Sequence, residues 1–87
     1  SDVRFIEPVA DDRDPYVTEM KVGEMLFARG QFFLAEEKFA KALSIRPGDV
    51  SALTARLHAQ IGGGLFASAS QNLRELLNDH PEVAGVR

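Results

Sequence analysis

GQFFLAEEKFAKALSIRP, residues 30–47, and GLFASASQNLRELLNDHP, residues 64–81, are two copies of one pattern. Set thirty-four residues apart, they place Gly30 on Gly64, Phe32 on Phe66, Ala35 on Ala69, Leu43 on Leu77 and Pro47 on Pro81, while Phe39 meets Leu73. Five identities in eighteen positions exceed the roughly one that composition supplies, since even common residues sit near about 7%. Each match has a physical task. The glycine turns the chain, and Phe, Ala and Leu recur at the three-and-four spacing of one buried helical stripe. Proline stops the helix, because it has no N–H to continue the ladder. The pattern predicts one helix after each glycine, ending before each proline.

Each copy is preceded by another helix. Asp14-Pro15 reads as a helix start: an Asp side chain accepts orphan N–H groups, and Pro is tolerated where its own N–H would go unused. A helix from about Pro15 to Arg29 follows, closed by Gly30. Asp49 caps a third helix, with Val50, Leu53, Leu57 and Ile61 on one face before Gly62-Gly63-Gly64. The last carries Phe66, Ala69, Leu73, Leu76 and Leu77, and Pro81 closes it. The expected class is therefore all-α, four helices in two hairpins, with only a faint strand character at Val3–Ile6. The chain divides into a lead-in at 1–14, repeat units at 15–49 and 50–83, and the start of a following unit at 84–87. Within the lead-in, Val3, Phe5, Ile6 and Val9 form an apolar cluster suited to docking back on the domain.

Composition narrows the chemistry. A chain of 87 residues buries only about 60% of the surface its unfolded form exposes, so the core is thin. Hydrophobic residues at 45% and charged residues at 26% match a folded globular domain rather than a disordered or membrane-spanning one. No window reaches the roughly 18 apolar residues of a spanning helix. No basic-then-apolar start resembles a signal peptide. The absence of Cys removes disulfides, thiolate nucleophiles and iron–sulfur ligation, and leaves the redox compartment open. A net charge of −3 has the wrong sign for a surface that tracks nucleic acid or anionic lipid. The chain starts at Ser1 and stops at Arg87 inside the expected next unit, and so reads as a fragment.

A thirty-four-residue period of helix, turn, helix resembles the tetratricopeptide repeat family. The first unit carries the resemblance in Gly23, Leu26, Gly30, Phe32, Ala35, Phe39, Ala42 and Pro47. The second keeps Gly64, Phe66, Ala69 and Pro81, and departs in its first helix, with Leu57 at the small close-packing place and Gln60 where a bulky apolar residue is usual. The resemblance covers about three quarters of the chain and implies two antiparallel helix-turn-helix repeats stacked as a short right-handed α-solenoid. It also implies a non-catalytic interaction module, without a cofactor, that binds a peptide or protein on a concave face. The groove residues it implies are Val17, Met20, Lys21, Glu24 and Phe27 from the first unit, then Ser51, Thr54, Ala55, His58 and Ile61 from the second. One sub-class of the family clamps a terminal carboxylate with Lys, Arg and Asn. Met20, Glu24, Thr54 and His58 stand at those places here, so that ligand is not expected.

Two apolar surfaces remain without a partner in the pattern. Phe33 and Leu34 lie one step around the helix from the stripe, and an exposed Phe invites a contact. In the last helix one face of Phe66, Ala69, Leu73, Leu76 and Leu77 is expected to contact its partner helix. The rest, with Leu73, Leu76 and Leu77, is expected to need a following unit or a second chain as cover, where a terminal repeat would ordinarily be polar. Both suggest an alternative role, homodimerisation. Other chemistry is disfavoured. His58 and His80 lie twenty-two residues apart, not at the spacing that presents two metal ligands on one helical face. Gly62-Gly63-Gly64 lacks the Lys and Ser or Thr of a phosphate loop and reads as a loosened helix end. Glu36-Glu37 is a solvated face beside Lys38 and Lys41. No nucleophile–base pair is suggested, and no small-molecule substrate is expected.

Overall fold

The Asp14 side chain accepts from the Tyr16 amide at 2.9 Å, and Pro15 occupies the first helical position. Helix α1 then runs Pro15–Ala28 in the computed structural model, which describes residues 13–85. Helix α2 runs Phe32–Ile45, α3 Val50–Gly62 and α4 Phe66–Asp79, followed by a short 3-10 helix Pro81–Ala84. There is no strand among the described residues. The expected docking of Val3, Phe5, Ile6 and Val9, like Val86 and Arg87, lies outside them.

The two hairpin turns repeat each other bond for bond. Gly30, at φ +78°, donates to the Phe27 carbonyl, and Gln31 donates to that of Leu26, both at 2.9 Å. Thirty-four residues on, Gly64 at φ +80° donates to Ile61 at 3.1 Å, and Leu65 to Gln60 at 2.8 Å. This is the Schellman termination, which satisfies the last carbonyls of a helix and needs a left-handed residue, a conformation glycine adopts without a steric penalty. The all-α class and the helical repeat are thus present in backbone geometry as well as in sequence.

Helix α2 lies at the centre, packed against α1 on one flank and α3 on the other, while α4 lies on the far side of α3. Small residues make the α2–α3 seam close: Ala35 and Ala42 of α2 and Ala52 and Ala59 of α3 are all fully buried. Tyr16, Ala42 and Ala52 form one buried group, and Ala35, Phe39 and Ala59 another. Met20 packs against both. Leu57, Ala69 and Leu76 form the third, between α3 and α4.

Two rings sit against bare backbone. A Cβ on Gly23 would lie 2.7 Å from Cδ1 of Phe39, and one on Gly62 would lie 2.6 Å from Cδ1 of Phe32. Gly63 likewise faces the Phe33 ring. The triple glycine therefore does more than loosen a helix end: α3 continues through Gly62, only Gly64 needs a positive φ, and the first two glycines seat the aromatic start of α2. The second hairpin has no such seat, because Leu57 stands where the first has Gly23. Helix α4 accordingly lies less closely on α3 than α2 does on α1.

A polar clasp ties the start of α1 to the junction between the hairpins. The Tyr16 hydroxyl donates to Oδ2 of Asp49 at 2.6 Å, and the same oxygen caps α3 by accepting from the Ala52 amide at 2.9 Å. The Arg46 guanidinium lies 3.9 Å over the Tyr16 ring and bonds Oδ2 of Asp14 at 3.2 Å. The hydrogen bond to Asp49, then burial, pushes the Tyr16 phenol up to about 12. The same bond, then the Ala52 amide, holds Asp49 below its ordinary value.

Gly23→Ala should destabilise the chain by about 1–3 kcal/mol in urea denaturation, because the added methyl collides with the Phe39 ring and forces it or the helix to shift. In a Phe39→Leu background the cost should shrink; an undiminished cost would show that the ring is not the obstacle. The clasp gives a pH signature. Tyr16, raised in the folded state above its ordinary 10.0, contributes stability that is intact below pH 10.0 and lost as the pH rises toward 12. Asp49, lowered in the folded state, contributes above its ordinary 3.8 and loses that contribution as pH falls through its folded value. Tyr16→Phe should cost about 1–2 kcal/mol at neutral pH and flatten both limbs of a plot of Tm against pH. Parallel wild-type and variant curves would refute the clasp.

Candidate functional site

Because α1 and α3 both lean on α2, their outward faces meet over a shallow cleft of about 210 Å³ lined by Glu24, Phe27, Phe39, Ala55 and His58. The Phe39 ring is only 2% exposed and forms the floor, continuing the contact it makes with Gly23. Ala55 of α3 packs against the same buried group. Phe27 stands in the wall, with its ring 5.3 Å from Phe32 in an edge-to-face pair. Glu24 and His58 are exposed at the rim, and no ion pair or hydrogen bond joins either to another described residue.

Of the ten residues expected along the groove, the structure brings Glu24, Phe27, Ala55 and His58 around this cleft. Lys21, Ser51 and Ile61 are exposed outside it, and Thr54 is half-buried. Val17 and Met20 are half-buried and pack into the Tyr16 group, so they belong more to the core than to a surface. Sequence reasoning placed Phe39 in the hairpin core and missed its second role. That role follows from packing on both flanks, Gly23 of α1 on one side and Ala55 and Ala59 of α3 on the other, which a reading helix by helix does not show.

A partly buried polar network centred on Gln60 crosses the three later helices. Oε2 of Glu36 in α2 accepts from Nε of Arg56 at 2.7 Å and from Nε2 of Gln60 at 3.4 Å. Oε1 of Gln60 accepts from Nδ2 of Asn72 in α4 at 3.0 Å. Gln60 is 2% exposed, yet no buried side-chain polar atom among the described residues lacks a partner. Removing one member of such a network strands the others and costs about 1–3 kcal/mol.

The apolar faces divide. Phe33 at 61% exposure, Leu34 at 49% and Leu73 at 41% are surface residues, as expected for a self-association patch. Phe66, at 65%, is more exposed still. Leu76 is not available to a partner: it is 4% exposed and packed with Leu57 and Ala69. The expectation of an exposed Leu76 is therefore corrected, and the reason lies in the register. Leu76 is the repeat-mate of Ala42, which is also fully buried. Leu77 is half-buried.

Among the described residues, no three or more His, Asp or Glu converge as a metal site, and no helix is long and apolar enough to cross a membrane. The five residues around the cleft supply a carboxylate, an imidazole and apolar surface, with no Ser, Thr or Lys nucleophile among them. Compared with known protein families, curated proteins and solved structures, the chain matches none.

The exposures set opposite outcomes for two substitutions. Leu76→Glu places an unpaired carboxylate between α3 and α4 and should cost more than about 3 kcal/mol or abolish the cooperative thermal transition. Phe33→Glu should leave stability within about 1 kcal/mol. Equal Tm losses would refute this assignment of inside and outside.

Proposed function

We propose that this chain is a non-catalytic interaction module of the tetratricopeptide type, two repeats stacked as a right-handed α-solenoid, whose concave face binds a peptide segment or another domain. The observation that carries this reading is the cleft between α1 and α3, where Glu24, Phe27, Ala55 and His58 surround a floor made by Phe39. In a stack of hairpins the first helices line one continuous face, and a peptide laid across it touches every unit. The cleft is smaller than the about 300–1,000 Å³ typical of small-molecule sites, which favours one side chain of a longer ligand over a free metabolite.

A second reading rests on a separate observation. Phe33, Leu34, Leu65 and Phe66 are exposed at the end of the molecule that holds both hairpin turns, and Phe32, Phe33 and Leu34 border a hollow with Gly30, Gln31 and Gly63. Exposed apolar surface around such a hollow marks contact sites. Two copies paired through it would make the chain a self-association module.

The readings separate in two assays. A displayed random-peptide library selected against the chain should yield binders that lose about tenfold or more in affinity on Phe27→Ala and are unmoved by Phe33→Glu. Light scattering after gel filtration should return a monomer over a wide concentration range. A dimer that Phe33→Glu dissociates, with selected peptides indifferent to Phe27→Ala, would replace the groove reading with self-association.

A further inference from the structure

Taking the concave-face reading as its base, we infer that the cleft between α1 and α3 selects a peptide with one apolar anchor side chain and a neighbouring Lys or Arg, the anchor resting on Phe39 and the cation against Glu24. The floor dictates the anchor. Phe39 and Ala55 present only carbon, and Phe27 closes one wall with a ring already held by Phe32. A polar side chain entering there would lose water without gaining a partner. The volume of about 210 Å³ admits a single Leu- or Met-sized group rather than a helix face.

The rim dictates the neighbour. Glu24 is the one formal charge among the five residues around the cleft, with His58 counted as neutral. The other acidic groups nearby are engaged or turned elsewhere: Glu19 pairs with Lys38 at 3.9 Å, Glu36 with Arg56 at 2.7 Å, and Asp49 with Tyr16. Lys21 lies on the same helix three residues before Glu24, about 4.5 Å nearer its start, and outside the cleft wall. The charge order along α1 is therefore positive, then negative at the cleft. A peptide cation beside the anchor meets Glu24, whereas a peptide carboxylate in that place meets it as a like charge. Rim charges of this kind adjust selection rather than supply the bulk of affinity.

The experiment titrates the whole chain with three acetylated, amidated octapeptides of Gly and Ser whose two central residues are Leu-Arg, Leu-Glu or Ser-Arg, at millimolar concentrations, read by backbone amide chemical shifts. The Leu-Arg peptide should shift the amides of Glu24, Phe27, Ala55 and His58, bind about two- to fivefold more tightly than Leu-Glu, and bind about tenfold or more tightly than Ser-Arg. Glu24→Gln, a substitution at an exposed side chain that retains the fold, should remove the preference for Arg, and Glu24→Lys should invert it. Equal binding of Leu-Arg and Leu-Glu, or a preference that survives Glu24→Gln, overturns this inference while leaving the concave face as a binding surface. Shifts confined to Gly30, Phe33 and Leu34, or none on α1 and α3, overturn the concave-face reading and this inference with it.

Discussion

Bare backbone opposite an aromatic ring, at Gly23 and again at Gly62, sets the spacing from which the remaining structure follows. Helix α2 carries both rings, Phe39 toward α1 and Phe32 toward α3. With no side chain in the way, each neighbouring helix settles close enough for the fully buried alanines of the seam to touch. The cleft between α1 and α3 is a by-product of that double approach. Phe39, the ring that fills the first hairpin, also lines that cleft, so the cleft's shape is inherited from the core. A methyl group at Gly23 would displace the same ring that an incoming side chain would rest on, coupling stability to recognition through one residue.

The second hairpin solves the same problem differently. Leu57 replaces the glycine, Leu76 replaces Ala42, and Leu73 replaces Phe39, so bulk moves from the ring position to its two neighbours. The two added leucines bring in more side-chain carbon than the loss of the ring removes, and α4 lies less closely as a result. Polar contacts take over part of the task. Gln60 bridges Glu36 and Asn72, holding α2, α3 and α4 in one register where an apolar side chain would permit sliding. A network with every member satisfied fixes position more than it adds stability.

Local signals were legible and non-local ones were not. The Asp14 and Asp49 caps, the two Schellman glycines and the four helices follow from residues within one turn of each other, and the structure places them within a residue of expectation. The task of Gly62 depends on a ring thirty residues earlier in the chain, and nothing in the local sequence distinguishes it from Gly64. Leu76 shows the opposite case. Taken helix by helix it belonged with Leu77 on an outer face, whereas the thirty-four-residue register placed it with buried Ala42. The repeat was the better guide to burial, because it carries the packing of one hairpin over to the other. Of the ten residues expected along the groove, four meet around one cleft, a juxtaposition across two helices that no local pattern specifies.

The cleft between α1 and α3 and the turn-end apolar edge differ in how firmly their residues are held, and that difference favours the cleft for the recognition proposed above. Phe39 is locked between Gly23 and the buried alanines, Phe27 is braced by Phe32, and Ala55 lies in the middle of α3. A ligand there meets a surface already in its bound shape and forfeits little conformational entropy on the protein side. Phe33 and Leu34 lie in the first turn of α2, whose N-cap residue Gln31 makes no side-chain capping bond. Phe66 starts α4 in the same way, behind Leu65. The first amides of these two helices thus lack the side-chain acceptor that Asp14 and Asp49 give α1 and α3. Apolar area alone would rank the turn end first. Weighed by preorganisation, the smaller cleft is the better-built site.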